Sequence, residues 1–179
     1  MVSFSVVTLT LLITFLLQPF LLIKSDEDLI RKLCSKTEEP VICRDCLNSD
    51  PNSKPADSHA LALIAINCAQ TDTSKMFHDV FKLYNETPDK TQLKEFLNEC
   101  SWRTTDAAGN FDAVLRYAAA LDHDSAKTVV NENILPQVNY CIKQFDDQAP
   151  TLPVPEEVLA GTIAVNQDCK IVLGILNSI

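Results

Sequence analysis

The sequence predicts an all-α fold: an up-down-up-down four-helix bundle with an N-terminal extension, stapled by disulfides. Three observations carry this reading. Four long segments repeat their apolar residues at helical rather than strand intervals. Glycine occurs only three times in 179 residues. The connections between the segments are short, which suits antiparallel neighbours.

The chain begins with an apolar stretch, FSVVTLTLLITFLLQPFLLI at residues 4–23, that carries no charge, followed by Lys24, Ser25 and Asp26. This is the pattern of a signal peptide cleaved near Ser25, which sets off residues 1–25 from the mature chain. A retained anchor is the alternative, since the run approaches the ~20 residues of a membrane span and no Lys or Arg precedes it. Gln18 and Pro19 argue against a stable anchor. Either reading places the seven cysteines in an oxidising compartment, where disulfide staples are expected rather than zinc sites or redox centres. Removal of residues 1–25 takes away Lys24 and no acid, leaving 14 basic against 24 acidic residues and a net charge of −10. Nucleic acid and anionic membrane surfaces would be repelled by that balance, and stable membrane association after cleavage is not expected. A cationic protein is the better partner. The remaining 154 residues fit one domain.

Residues 26–56 contain a short amphipathic helix (Leu29, Ile30, Leu33), the stretch CSKTEEPVICRDC and a loop, SDPNSKPAD. This piece is too small to fold alone and should pack on the bundle of residues 57–179. The first bundle helix is expected from Asp57 to about Asn85, through ALALIAINCA and then Met76, Phe77, Val80, Phe81 and Tyr84. The second runs from about Asp89 to Asp122. Its stripe is Leu93, Leu97, Cys100, Thr104, Ala107, Phe111, Val114, Ala118 and Leu121, in alternating steps of four and three. The third follows a cap at Asp124 or Ser125 and presents Val130, Ile134, Val138, Cys141 and Phe145 on one face, with a kink expected at Pro136. The linker QAPTLPVP, 148–155, cannot be helical throughout. Pro155 suits the first position of the last helix, with Glu156 and Glu157 favourable toward its dipole. Leu159, Thr162 or Ile163, Asn166, Cys169, Leu173 and Leu176 continue the stripe.

Catalytic chemistry finds little to work with. The three histidines, His59, His78 and His123, stand on or beside expected surface turns or helix ends, and no Gly-x-Ser-x-Gly stretch occurs. Asp122, His123 and Asp124 have ligand atoms, yet three adjacent residues rarely converge on one metal ion; a solvated turn is the simpler reading. Cys43-x-x-Cys46 has redox spacing without the βαβ setting that gives it meaning. Neither a metal nor another cofactor is expected. An apolar-ligand carrier is disfavoured by the tight stripes and by the lack of Cys-Cys and Cys-x-Cys pairs. Asn85-Glu86-Thr87 is a glycosylation sequon at a turn, and the following Pro88 makes it a poorer one.

Cys100 and Cys141 fall on the core stripes of consecutive helices, at similar depths from the turn near Asp122 to Asp124, so a bridge between them is geometrically reasonable. Cys34 and Cys43 would close a small loop over Glu39 and Pro40. Cys169 faces the core of the last helix with no obvious mate. With these residues in place, the chain resembles the plant protein inhibitors of pectin methylesterase and invertase over essentially all of residues 26–179. The resemblance rests on the apolar leader, the early pair Cys34 and Cys43, DPNSKPADSHALALIAI leading into a long helix, the distant pair Cys100 and Cys141, and the late Cys169. It implies an N-terminal helical hairpin fastened by the first pair, a four-helix bundle fastened by the second, and an unpaired fifth thiol. Cys46 and Cys68 are extra to that pattern: they either form a third bridge or remain buried thiols, and Cys46 competes with Cys43 for Cys34.

The resemblance also implies a non-enzymatic, secreted inhibitor of the cell wall, or alternatively of the vacuole, that covers an enzyme's substrate cleft with a helical face. Invertase inhibitors of the family commonly carry Pro-Lys-Phe in the turn between the helices that hold Cys100 and Cys141. Here the turn reads Leu121-Asp122-His123-Asp124-Ser125-Ala126-Lys127, which looks more like the pectin methylesterase branch. Pectin methylesterase is therefore the expected partner, with acid invertase, or a non-inhibitory role on the same scaffold, as the alternatives. Asp122, His123, Asp124 and Lys127 are the candidate contacts.

Overall fold

The structure is a computed structural model that describes residues 27–148 and 151–179. The apolar leader lies outside the described residues. Helix α1, residues 27–34, turns into α2, Pro40–Ser49, whose first position is taken by Pro40, where a missing N–H costs nothing. The two are joined by a Cys34–Cys43 bridge. Ile30, Leu33 and Leu47 are buried beneath them. The pair sits on the bundle through α2, which packs on α3, Ser58–Glu86, and α7, Glu156–Leu176. At Gly174 of α7 a Cβ would come within 3.0 Å of the Thr37 backbone, so glycine is what admits the α1–α2 connection there.

The bundle helices are α3, Ser58–Glu86; α4, Gln92–Ala119; a third arm made of α5, His123–Val129, and α6, Leu135–Gln148; and α7, Glu156–Leu176. Asp57 caps α3 by accepting from the Ala60 N–H at 2.8 Å, and Thr91 caps α4. α3 packs on α4 and α7, and α6 packs on the same two. Along each pairing, residue numbers fall in one helix as they rise in the other. Gln70 meets Asp112 while Lys94 lies over Tyr84; Cys100 meets Cys141 while Arg103 bonds Gln137; Lys127 bonds Asn177 while Asn139 bonds Asn166. Neighbours are therefore antiparallel, as short connections require.

The stripes of α4 and of the third arm fill the core. Leu97, Cys100, Thr104, Ala107, Phe111, Val114 and Ala118 are buried, as are Val130, Ile134, Val138, Cys141 and Phe145. Each large apolar side chain so buried contributes about 1.5–3 kcal/mol. The buried Thr73, Thr104 and Thr162 hydroxyls donate to the carbonyls of Ala69, Cys100 and Val158 four residues back, so no polar atom is stranded by them. Gln144 donates to the Phe96 carbonyl at 3.0 Å, beside an edge-to-face contact of Phe96 with Phe145.

Five details depart from the sequence reading. Leu121 lies past the end of α4 and is 66% exposed rather than completing its stripe. In α7 the buried line is Val158, Thr162, Val165, Cys169, Val172 and Leu176, whereas Leu159 and Ile163 face outward. That helix is apolar on most sides, so its phase is poorly marked. Asp122, not Asp124 or Ser125, caps the third arm. Pro136 acts through a widened π-helical stretch, Val130–Ile134, between α5 and α6, in which the Leu135 N–H donates to Val130. Proline offers no N–H to the carbonyl four residues back, and the wider turn accommodates that loss. Pro155 is the cap of α7 and not its first helical residue.

Candidate functional surface

The α4–α5 turn is built from backbone geometry outward. The Leu121 N–H donates to Ala118 and the Asp122 N–H to Tyr117, both at 2.9 Å, which closes α4 with a Schellman motif. That motif needs a left-handed residue, and Leu121 supplies it at φ 63° although glycine is the usual occupant. An exposed leucine is thus held in a strained conformation at the tip of the bundle. Asp122 accepts from Ser125, and hydrogen bonds from the Ser125 side chain and backbone hold its carboxyl below the ordinary aspartate range. Asp124 projects into solvent. Lys127 is half-buried and doubly engaged, 2.8 Å from Asp124 and 3.0 Å from Asn177, which ties α5 to the end of α7.

The four candidate contacts therefore share one end of the bundle, together with residues that the local sequence does not connect to them. His59, in the first turn of α3, stacks on His123 with ring centroids 6.3 Å apart, and each ring buries one unpartnered nitrogen. The starts of the first and third arms of an up-down bundle fall at the same end, so the topology held the signal that the local sequence lacked. His78, by contrast, lies exposed within α3, its ring against the Ser74 carbonyl. Asn177 and Ile179 complete a shallow recess around Asp122 and Lys127.

A second surface runs along the outside of the bundle. Phe77, Phe81 and Tyr84 stack in sequence along α3, and Lys94 lies over the Tyr84 ring at 4.7 Å. Phe81 is 46% exposed, and Trp102 on α4 is 68% exposed. Asn85 is exposed near the end of α3, where its side-chain amide donates to the Phe81 carbonyl. Cys46 and Cys68 are bridged, pinning α2 to α3. Cys169 is a free thiol whose burial pushes its pKa up to about 12, with the neighbouring Asp168 adding to the rise. Among the described residues no three His, Cys, Asp or Glu side chains gather in a way that could hold a metal ion.

Together these features define a disulfide-stapled helical bundle whose distinctive side chains lie on open surfaces. A family model described as plant invertase/pectin methylesterase inhibitor matches residues 28–175, and the chain belongs to that family. Pectinesterase inhibitor of Actinidia deliciosa is 25% identical over 155 residues, spanning 87% of this chain and 81% of that protein. Cell wall / vacuolar inhibitor of fructosidase 1 of Arabidopsis thaliana is 35% identical over 79 residues, spanning 44% of this chain and 37% of that protein. The crystal structure of a mutant form of a pectin methylesterase inhibitor from Arabidopsis superposes with a TM-score of 0.65 over 80% of this chain and 92% of that one. At 21% identity that likeness speaks for the fold alone.

Proposed function

We propose that the protein is a secreted, non-enzymatic inhibitor of pectin methylesterase that works by laying a rigid face of its bundle over the enzyme's substrate cleft. The observation that carries the choice of target is the α4–α5 turn, Leu121 to Lys127, which lacks the Pro-Lys-Phe that the resemblance associates with invertase inhibitors. Inhibition of acid invertase is the second reading, favoured by the higher identity, over a shorter span, to the Arabidopsis inhibitor of fructosidase.

Occlusion needs shape and charge rather than a reacting group. A protein inhibitor interface buries about 1,600 Å² in total. The exposed leucine at the turn and the acidic residues beside it offer an apolar anchor rimmed by negative charge, which suits a cleft whose own substrate is a polyanion. The apolar leader is proposed to send the chain to the cell wall, with the vacuole as the alternative destination. Activity measured against purified pectin methylesterase and acid invertase tests the target. Stoichiometric loss of methylesterase activity is the expected result, and loss of invertase activity alone would overturn it.

A further inference from the structure

Away from the α4–α5 turn, α3 and α7 meet at a pair of carboxyl groups that inhibition does not use. Asp168 on α7 is 5% exposed, and its Oδ2 is buried with no hydrogen-bond partner. Asp72 on α3 is its acidic neighbour across the helix pair. Both line one cavity, under the Cys46–Cys68 bridge, into which Asp45 of α2 and Asp50 of the following turn also face. Among the described residues no cation pairs with Asp168, whereas Asp72 lies near enough to Lys75 for their charges to act on each other. Lys75, one turn along α3, is held by Asp79 at 2.8 Å, and Lys170 on α7 by Glu38 at 2.9 Å. Lys127 of α5 is held at the bundle end by Asp124 and Asn177, and α6 presents the neutral Asn139 to Asn166. Two neighbouring carboxylates repel, and two that share a proton form a hydrogen bond.

We propose that Asp72 and Asp168 share one proton, and that this proton fastens α7 to α3, making the bundle a pH-sensitive device that is tightest in an acidic compartment. Burial is the first cause that raises the Asp168 pKa to about 7, and the hydrogen bond and charge of Asp72 add to it. An aspartate in the unfolded chain releases its proton near pH 4. Between those two values the folded chain holds one proton more than the unfolded chain, so stability falls as pH rises through the window and is flat above it. An inhibitor built this way keeps its face in order in acid and loosens as its surroundings approach neutrality. The proposal concerns the fold itself and stands whichever enzyme is the target.

Thermal unfolding of the oxidised, secreted chain between about pH 4.5 and about pH 7.5 tests it, with wild type beside D168N and D72N. An amide copies the protonated carboxyl. The wild-type midpoint is expected to fall over that range by on the order of 5 °C more than that of D168N. D168N is also expected to be the more stable of the two at the upper end. Equal pH slopes in the two proteins would overturn the proposal. If neither variant folds, carbon-13 NMR of the aspartate carboxyls in the wild type decides: one aspartate titrating near pH 7 supports the shared proton, and all titrating below about pH 5 overturns it. Calcium chloride that raises the wild-type midpoint near neutral pH, and leaves D168N unmoved, would also overturn it by showing a cation between the carboxyls.

Discussion

Leu121 separates what the fold needs from what a docking surface needs. A left-handed leucine costs about 1–2 kcal/mol relative to a residue free to adopt that conformation, and its side chain is spent on solvent rather than core. Leu121→Gly is therefore expected to raise stability by about 1 kcal/mol while weakening inhibition of the target enzyme. Unfolding midpoints and inhibitor titrations on the same preparation check both halves; a variant that inhibits as well as wild type would remove Leu121 from the proposed surface. The sequence pattern placed this residue in the core because heptad phase counts positions and does not announce where a helix stops. Its neighbour His123 shows the opposite limit: the turn was visible as a motif, but the stacking partner lies 64 positions earlier in the chain. Cys169 gives a simpler expectation. Buried and with its pKa raised to about 12, it should ignore a thiol reagent in the native protein and react once per chain after denaturation.

Among the elements, the cross-links and close approaches carry the testable energetics. The Cys100–Cys141 bridge spans 41 residues, a loop whose closure restricts the unfolded chain by about 4 kcal/mol in the chain-entropy account. Paired replacement by alanine should cost roughly that amount. The Cys46–Cys68 bridge spans 22 residues, and its removal should cost about 3 kcal/mol. Denaturant unfolding measures both, and an unchanged midpoint in the first case would show that packing alone holds α4 to the third arm. Gly174→Ala presses a methyl group onto the Thr37 backbone, which cannot yield as a side-chain tip would, so about 1–3 kcal/mol should be lost. The helices themselves were legible because two of the stripes run over several turns without a break in phase. The last helix was legible in extent but not in phase, since Leu159 and Ile163 are as apolar as the residues that face inward. Pro136 announced a disturbance but not its form, because a kink and a π-helical widening answer the same missing hydrogen bond.

At the scale of the whole molecule, charge and topology set the behaviour. A net charge of −10 on residues 26–179 should speed capture of a cationic enzyme surface at low ionic strength, because screening shortens to about 8 Å near physiological salt. Association rates measured from low to high salt are expected to fall; rates that stay constant would leave shape alone to account for docking. The all-helical architecture followed from composition, periodicity and short connections, all of which are local properties of the chain. The proposed docking surface did not, because it is assembled from the starts of α3 and α5 and the end of α7, and only the closed bundle brings those together. The central claim is tested most directly by titrating the oxidised protein in parallel against a plant pectin methylesterase and a plant acid invertase at about pH 5, where exposed carboxylates remain mostly ionised. Stoichiometric loss of methylesterase activity with invertase untouched is the predicted result, and loss of invertase activity alone would contradict it.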